Sequence, residues 1–191
     1  DCEKKFLKKL SPNKVLEYRY SRGKLRSFLS PILKIPPLEI PLIAPPGKPP
    51  KLEDGLGFVS ISHCKDALLL GWSKYPVGVD IEHCYRKINA ENIIKNFYSK
   101  LEQNEAKKYF GEELRRRCLD LWVIKESAIK STSGSIFRDL FNWEYSRSDN
   151  IVNNKKIDLK KRIFLKELDG YKIGIAYDLR IKDRNFFISK N

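Results

Sequence analysis

The sequence contains no methionine, only two histidines and only four cysteines among 191 residues. The cysteines are Cys2, Cys64, Cys84 and Cys118. None of them forms a C-x-x-C motif, and we expect free thiols. His63-Cys64 and His83-Cys84 repeat as adjacent pairs, but neighbouring residues on a strand point to opposite faces. Neither pair is therefore expected to aim both of its ligands at one zinc ion.

Long apolar runs are also missing. No segment approaches the roughly 20 apolar residues that a membrane helix needs. The start of the chain, Asp1 to Lys5, lacks the apolar stretch of a signal peptide, so we expect a cytoplasmic protein. Because the chain starts with Asp1 and has no methionine, we do not take its first residue as the natural start. Hydrophobic residues make up 41% of the chain, which is enough for a folded core.

Negative charge is scarce. The chain has 38 Lys and Arg residues against 24 Asp and Glu residues, a formal net charge of +14. The excess is spread over residues 1–76 and 77–191, so no single basic tail carries it. Such a charge favours encounter with polyanions or acidic proteins. Aromatic and basic residues alternate over Tyr18 to Arg22, which keeps a nucleic-acid-binding module open as an alternative.

The first third of the chain is predicted to be a helix, a loop and a hairpin. Helical periodicity covers residues 21–30, and Pro31 is expected to end that helix. Seven prolines between Ile35 and Pro50 predict an extended loop over the surface. Two strands follow, 57–62 and 67–73, around a turn at Cys64-Lys65-Asp66. Pro76 then marks a boundary, which predicts two parts, 1–76 and 77–191.

The second part is predicted to mix strands and helices. A strand carries Asp80 and Glu82, and three helices are expected at 89–98, after Ser99 to 109, and at 112–131. Strands are expected at 141–145, 163–168 and 171–177, the last two joined by a turn at Asp169-Gly170. The pattern predicts an α+β fold.

Three acidic residues stand out in these elements. Asp80 and Glu82 alternate with apolar residues, so their carboxylates leave one face of a strand about 7 Å apart. Trp122, Glu126 and Lys130 form one stripe at i, i+4 and i+8 on a helix. A solvated polar strand face would explain the first pair alone. With Glu126 added, three carboxylates could surround one Mg²⁺ ion.

Four motifs appear in order, and together they carry a resemblance. They are Ser62-His63, Gly78-x-Asp80-x-Glu82, Phe97-x-Ser99-x-x-Glu102 and Trp122-x-x-Lys125-Glu126-Ser127-x-x-Lys130. Spread over roughly residues 20–145, they resemble the 4'-phosphopantetheinyl transferases of the longer, monomeric, surfactin-synthetase-activating type. This chain departs from the common pattern at Ser60, Cys64 and Ser127, where Asn, Ser and Ala are common.

The resemblance implies two similar α+β halves related by a pseudo-two-fold axis, with the active site in the cleft between them. It implies a cytoplasmic monomer of fatty acid or polyketide biosynthesis. The enzyme would transfer 4'-phosphopantetheine from coenzyme A to a serine of an acidic acyl or peptidyl carrier protein and release adenosine 3',5'-bisphosphate. A catalytically silent homologue that only binds carrier proteins is a further alternative. The sequence does not indicate which carrier protein is served.

The resemblance also implies roles for individual residues. Mg²⁺ would be held by Asp80, Glu82 and Glu126, with coenzyme A as co-substrate. Glu126, Glu102 and Lys130 would be catalytic, Glu102 taking the serine proton directly or through a metal-bound water and Lys130 neutralising the leaving diphosphate oxygen. The coenzyme would be bound by Lys48, Ser62, His63, Arg22 and Arg26, the two arginines on a looser alignment. For Glu102 the alternative is an ordinary acid in the first turn of a helix.

Overall fold

The computed structural model describes residues 3–8 and 10–181, apart from the side chains of residues 5, 136 and 137. Its helices are α1 Lys4–Leu7, α2 Pro12–Leu33, α3 Ala90–Phe97, α4 Lys100–Ala106, α5 Gly111–Ser131 and α6 Ile136–Asp139, followed by a 3₁₀ turn at Leu140–Asn142. Its strands are β1 Leu42–Ile43, β2 Lys51–Leu52, β3 Phe58–Cys64, β4 Ala67–Ser73, β5 Gly78–His83, β6 Trp143–Ser146, β7 Ile151–Asn154, β8 Leu159–Leu168 and β9 Tyr171–Tyr177. Within the described ranges, no helix is long and apolar enough to cross a membrane.

The fold is α+β, as the sequence predicts. Five antiparallel strands form one sheet in the order β5-β9-β8-β7-β6, and the β3-β4 hairpin stands beside it. Helix α5 packs on the sheet through Ile124, Ala128 and Ile129, which share a buried cluster with Trp143. The predicted strand at 141–145 starts only at Trp143. Strand β7 was not predicted, because its four residues include two asparagines and show little alternation.

Helix α2 is much longer than its predicted range of 21–30. It begins at Pro12, directly after Ser11, and runs through Pro31 to Leu33. Proline is well suited to the first turn of a helix, so Ser11-Pro12 was an overlooked start signal. Pro31 lies in the last turn and removes one helical hydrogen bond there, but the helix continues for two more residues. The left-handed Lys34, at φ 57°, ends the helix instead.

The proline-rich segment is held against α2 by hydrogen bonds to its own carbonyl groups. Arg26 Nη1 donates to the Ile40 carbonyl oxygen at 2.8 Å. The Tyr18 hydroxyl donates to the Ala44 carbonyl oxygen at 2.7 Å, and Arg22 Nε donates to the same oxygen at 3.2 Å. A segment with so many prolines cannot pair in a long ladder, and only the two-residue strands β1 and β2 form. Side chains of α2 therefore satisfy these buried carbonyl groups.

Strands β3 and β5 are joined through serine side chains. The Ser60 hydroxyl accepts a hydrogen bond from the Val79 amide at 3.0 Å, and the Ser62 hydroxyl accepts one from the Ile81 amide at 3.3 Å. Strand β5 is the edge of its sheet, so these amides would otherwise lack partners on that side. The two serines therefore fix the position of the hairpin along β5. Ser60 is one of the positions where this chain departs from the common family pattern.

Helix α5 approaches the sheet closely because two facing positions are glycine. A Cβ atom on Gly78 of β5 would overlap with the Ser127 carbonyl oxygen and the Ser131 amide nitrogen. A Cβ atom on Gly174 of β9 would overlap with the Val123 side chain. Such contact lets α5 lie directly over the two strands. It also places the side chains of α5 next to the acids of β5.

The first prediction concerns this close approach. Gly78→Ala should lower the free energy of unfolding by about 3 kcal/mol, because the added methyl group meets helix backbone that cannot move aside. Gly23→Ala is the matched control. Gly23 is an exposed residue of α2 with open space at the Cβ position, so its replacement should raise stability by about 0.5–1 kcal/mol. Urea unfolding followed by circular dichroism measures both, and equal effects would contradict the packing argument.

Candidate active site

Three carboxylates converge where β5 meets α5. Oxygen atoms of Asp80, Glu82 and Glu126 all lie within 4.8 Å of one another. Asp80 is 1% exposed and Glu126 is 7% exposed. Carboxylates at this distance repel each other strongly when water is largely excluded. The structure thus brings together the three residues that the sequence predicts as metal ligands.

In the part of the chain that the structure describes, two cations contact this cluster, Arg86 at Glu82 and Lys130 at the two buried acids. Lys130 is the more central of the two. Its ammonium group lies 2.6 Å from Asp80 Oδ1 and 3.4 Å from Glu126 Oε2. It also donates to the Ser62 hydroxyl at 2.8 Å, and that hydroxyl donates to Asp80 Oδ1 at 2.7 Å. Ser62, predicted to contact the coenzyme, therefore positions Asp80 and Lys130. Lys130 and Arg86 together supply two positive charges against three carboxylates.

Burial and the remaining repulsion raise the pKa of two of the acids. Burial, followed by the charge of Asp80, raises the pKa of Glu126 to about 7, although Lys130 opposes the shift. Burial also raises the pKa of Glu82, and the charge of Arg86 opposes it. Burial lowers the pKa of Lys130, but the charges of Asp80 and Glu126 overcome this and the net shift is upward. The cluster therefore favours additional positive charge, as a proton or as a cation.

The cluster has the donor set that Mg²⁺ prefers. Asp80 Oδ2 is buried and has no hydrogen-bond partner among the described residues. A buried carboxylate oxygen without a partner is costly, and coordination to a cation would satisfy it. Together with Glu82 and Glu126 it offers three hard oxygen ligands, the chemistry expected for a Mg²⁺ site that keeps positions for water and phosphate. The residues present fit the ion.

Glu82 has a basic partner that the sequence analysis did not identify. Arg86, in the turn after β5, forms an ion pair with Glu82. The same guanidinium group lies 5.5 Å from the ring centroid of Trp122 on α5. Because Arg86 contacts both residues, it joins the end of β5 to the start of the predicted Trp122-Glu126-Lys130 stripe. The i, i+4 spacing of Glu82 and Arg86 did not predict an ion pair, because that spacing brings side chains together on a helix and these residues lie at a strand end and in the turn after it.

The acidic cluster lies in a cleft of about 440 Å³. Residues of both predicted parts line it. They are Leu10, Lys14, Glu17, Tyr18, Ser21, Arg22, Pro46, Gly47, Ile61, Ser62, His63, Asp80, Glu82, Glu126 and Lys130. The lining residues from the first turns of α2 were not predicted, because the predicted helix begins at residue 21 and the observed helix begins at Pro12.

Basic residues also line this cleft. His63, Arg22 and Lys14 all line it, and the first two were predicted as coenzyme contacts. Burial lowers the pKa of Arg22, partly offset by Tyr18. Lys48, also predicted, is exposed and follows Gly47, which lines the cleft. The cleft therefore contains the three clustered carboxylates, Glu17 and these basic groups together.

Three predicted site residues do not line the cleft: Lys48, which follows Gly47, and two that lie further away. Arg26 does not line the cleft, and its guanidinium group bonds to the Ile40 carbonyl oxygen and forms an ion pair with Glu3 at 3.1 Å. Glu102 does not line it either and is 4% exposed. The structure thus does not bring Arg26 or Glu102 to the three metal-ligand candidates. Both have structural contacts that account for their charge.

Glu102 is the centre of a buried polar network. It forms a capping box with Ser99 at the start of α4, as the Ser99 cap predicts. Its Oε2 lies 2.5 Å from Lys125 Nζ, and its Oε1 accepts a hydrogen bond from the Tyr145 amide at 3.2 Å. Lys125 is fully buried and also lies 4.5 Å from the centroid of the Tyr98 ring. The pair joins α4, α5 and β6 rather than facing solvent.

The second prediction tests this structural role. Glu102→Gln should lower the free energy of unfolding by about 3 kcal/mol or more, because it leaves the buried Lys125 charge without its partner. Glu113→Gln is the matched control, since Glu113 is 60% exposed and pairs with Arg117 on the surface. Its replacement should cost less than about 1 kcal/mol. Equal losses in urea unfolding would show that the buried pair is not structural.

Comparison with known families agrees with this geometry. A family model described as the 4'-phosphopantetheinyl transferase superfamily matches residues 76–176, slightly more than half of the chain. The chain belongs to this superfamily. The matched range contains Asp80, Glu82 and Glu126 together with Lys130. A search of curated proteins found no significant match. Family membership indicates a transferase activity in general, with phosphopantetheine as the group transferred.

Proposed function

We propose that this chain transfers 4'-phosphopantetheine from coenzyme A to a serine of an acyl or peptidyl carrier protein in a Mg²⁺-dependent reaction. The observation that carries the proposal is that three carboxylates, Lys130 and the basic residues Lys14, Arg22 and His63 line one cleft. This combination suits a substrate that has a diphosphate and a further phosphate. A neutral substrate would gain little from these charged groups.

The metal ligands in this proposal are Asp80, Glu82 and Glu126. They offer three oxygen donors at one point of the cleft, and Asp80 Oδ2 is free to serve as one of them. When bound there, Mg²⁺ supplies positive charge that stabilises the diphosphate as its bridging oxygen leaves. The chain then has to orient the coenzyme, bind its phosphates and move one proton.

Cationic side chains of the cleft bind the phosphate groups. Arg22 and Lys14 of α2 and His63 of β3 line the cleft. Lys48 is exposed and follows Gly47, which also lines it. Lys130 contacts both Asp80 and Ser62, so we assign it to the leaving oxygen, where negative charge develops. Arg26 is left out because its guanidinium group is bound to Ile40 and Glu3.

Proton transfer is assigned to Glu126 rather than to Glu102. The carrier serine oxygen attacks the phosphorus attached to pantetheine, and the bond from that phosphorus to the bridging oxygen breaks. The serine proton passes to a carboxylate, and adenosine 3',5'-bisphosphate leaves. Glu126 lines the cleft that the carrier serine has to enter, and the carboxylate oxygen that is not used as a metal ligand can take the proton. Glu102 is enclosed by Lys125 and the Tyr145 amide.

The same proposal covers the arrangement of the chain. Residues 1–76 supply Arg22, Lys48, Ser62 and His63 for the coenzyme, and residues 77–191 supply the acids and Lys130. We propose that these are the two halves of the longer, surfactin-synthetase-activating type, related by a pseudo-two-fold axis and active as a monomer. A cleft lined from both sides supports this view. The test is the mass of the protein in solution together with its activity.

The third prediction tests the reaction itself. A carrier protein incubated with this chain, coenzyme A and Mg²⁺ should gain the mass of one phosphopantetheine, seen by mass spectrometry of the intact carrier. Asp80→Asn should abolish this gain while keeping the fold, because the amide preserves shape and removes the charged metal ligand. Glu102→Gln should retain turnover wherever the protein stays folded. A folded Glu102→Gln protein that lost about 10²-fold or more in turnover would return the proton-transfer role to Glu102.

The fourth prediction concerns the partner. The net charge of +14 suits an acidic carrier protein, and surface charges of this kind steer association. Stopped-flow measurements should show that added salt slows association with the carrier but leaves the single-turnover chemical step nearly unchanged. Screening reduces interactions beyond about 8–10 Å but affects groups inside the cleft much less. Salt-insensitive carrier association, with tight and steeply salt-dependent binding of single-stranded nucleic acid, would favour the nucleic-acid alternative instead.

A further inference from the structure

A second cluster of metal-binding side chains lies at the ends of β3 and β5. Ligand atoms of Cys64, Asp66 and His83 all lie within 4.8 Å of one another. His83 Nε2 is 2.7 Å from Asp66 Oδ1. One residue ends β3, one is in the hairpin turn, and one ends β5. The cluster contains sulfur, nitrogen and oxygen donors, unlike the all-carboxylate site.

The register of the two strands explains why these residues meet. Ser60 bonds to Val79 with a sequence separation of 19, and Ser62 bonds to Ile81 with the same separation. Cys64 and His83 continue this register at the strand ends. Strands that run side by side in one direction bring residues of equal offset together. The two-residue turn before β4 then places Asp66 beside them.

This arrangement uses one member of each His-Cys pair. His63 lines the cleft while Cys64 belongs to the new cluster. His83 belongs to the cluster while Cys84 is buried apart from it. The expectation that neither adjacent pair aims both ligands at one ion therefore agrees with the structure. What the sequence did not indicate is that the two pairs would be aligned by the β3-β5 register.

The three side chains are held in place by their surroundings. The Tyr171 ring lies 4.6 Å from the His83 ring, and His83 lies in strand β5, which pairs with the Tyr171 strand β9. Cys64 pairs with Ala67 at the closed end of the β3-β4 hairpin, which fixes its backbone. Metal sites commonly use such outer contacts to orient their ligands. The His83 and Asp66 side chains are 38% and 57% exposed, so an ion has access from solvent.

The donor set selects a particular class of ion. Thiolate and imidazole favour Zn²⁺ and its neighbours, whereas Mg²⁺ prefers oxygen ligands and water. Three protein ligands leave a fourth tetrahedral position for water or for a group from a partner. The alternative is a surface His-Asp hydrogen bond beside a free thiol, with no ion. A His83-Asp66 hydrogen bond alone would not require the Cys64 sulfur to lie within 4.8 Å of both ligand atoms, as it does here.

We propose that Cys64, Asp66 and His83 bind one Zn²⁺ ion, separate from the Mg²⁺ site in the cleft. The ion would join the tip of the β3-β4 hairpin to the end of β5. His63 and Glu82, which line the cleft, are the immediate neighbours of two of these ligands. Zinc would therefore fix the two cleft walls relative to each other. The site stands on its own ligands and does not depend on the proposed transfer reaction.

The fifth prediction uses Co²⁺ as a spectroscopic probe for this site. The full chain, carrying no histidine tag and freed of metal, should bind one Co²⁺ with a sulfur-to-cobalt charge-transfer band and the strong visible bands of tetrahedral coordination. Zn²⁺ at one equivalent should remove both, and a large excess of Mg²⁺ should not. Cys64→Ala should abolish the charge-transfer band. Asp66→Asn and His83→Gln should weaken Co²⁺ binding by about tenfold or more.

Two control variants distinguish this site from the carboxylate cluster and from a neighbouring thiol. Cys84→Ala should keep the band, because Cys84 follows His83 in the chain but is not in the cluster. Asp80→Asn should keep it as well, because that residue belongs to the cleft. Zn²⁺ should also raise the thermal unfolding midpoint of the unmodified chain but not of Asp66→Asn. Since Asp66 lies in an exposed turn, this variant tests the proposal even if Cys64→Ala does not fold.

Several results would overturn the proposal. The first is the absence of a charge-transfer band at any Co²⁺ concentration that saturates the chain. The second is a band that survives Cys64→Ala or disappears in Cys84→Ala, since either would place the sulfur ligand elsewhere. The third is Co²⁺ binding that is lost in Asp80→Asn alone, which would mean that only the carboxylate site holds the ion.

Discussion

Repulsion among Asp80, Glu82 and Glu126 is the constraint on which the rest of the structure depends. Three carboxylates within 4.8 Å of one another, two of them buried, are tolerated only where positive charge is supplied. Lys130 and Arg86 supply part of it, and Ser62 fixes the position of Asp80. The remainder has to come from a bound cation or proton. An arrangement that is costly for stability in this way is typical of a functional site.

The fold brings this cluster together through a small number of contacts. Gly78 lets α5 lie directly on β5, so that Glu126 and Lys130 reach Asp80. Serine hydroxyls, in place of a backbone ladder, fix the hairpin beside β5 and carry His63 to the cleft. Helix α2 closes the other side and holds the proline-rich segment by its carbonyl groups. All of these contacts help to fix the positions of residues that line the same cleft.

Much of this could be predicted from the sequence, because strand alternation and helical stripes are local patterns. The β3-β4 hairpin, the Asp80-Glu82 strand, the Ser99 cap and the long helix α5 were all predicted correctly. The start of α2 was missed although Ser11-Pro12 signals it, and with it the residues that α2 contributes to the cleft. Roles that depend on burial were harder. Glu102 and Arg26 fit family positions, yet only the folded chain shows that their charges are paired away from the cleft.

The register between two strands that are distant in sequence could not be predicted from local patterns. The separation of 19 between β3 and β5 brings Cys64 to His83, and no periodicity within either strand indicates it. The same register positions Ser62 on Asp80. Both clusters, one of hard oxygen donors and one with sulfur and nitrogen, therefore result from a single alignment of two strands. Family membership shows the transferase class, and the chemistry of the cleft supports the reaction proposed for it.

In the proposed function, the acidic cluster and the basic residues of the cleft bind coenzyme A together with Mg²⁺. Calorimetric titration of coenzyme A, with and without Mg²⁺, measures this most directly. Mg²⁺ should raise the affinity for coenzyme A by about 5- to 150-fold, the usual range for coupled binding. Coenzyme A should in turn raise the affinity for Mg²⁺ by the same factor. Equal affinity for coenzyme A in the presence and absence of Mg²⁺ would contradict the account.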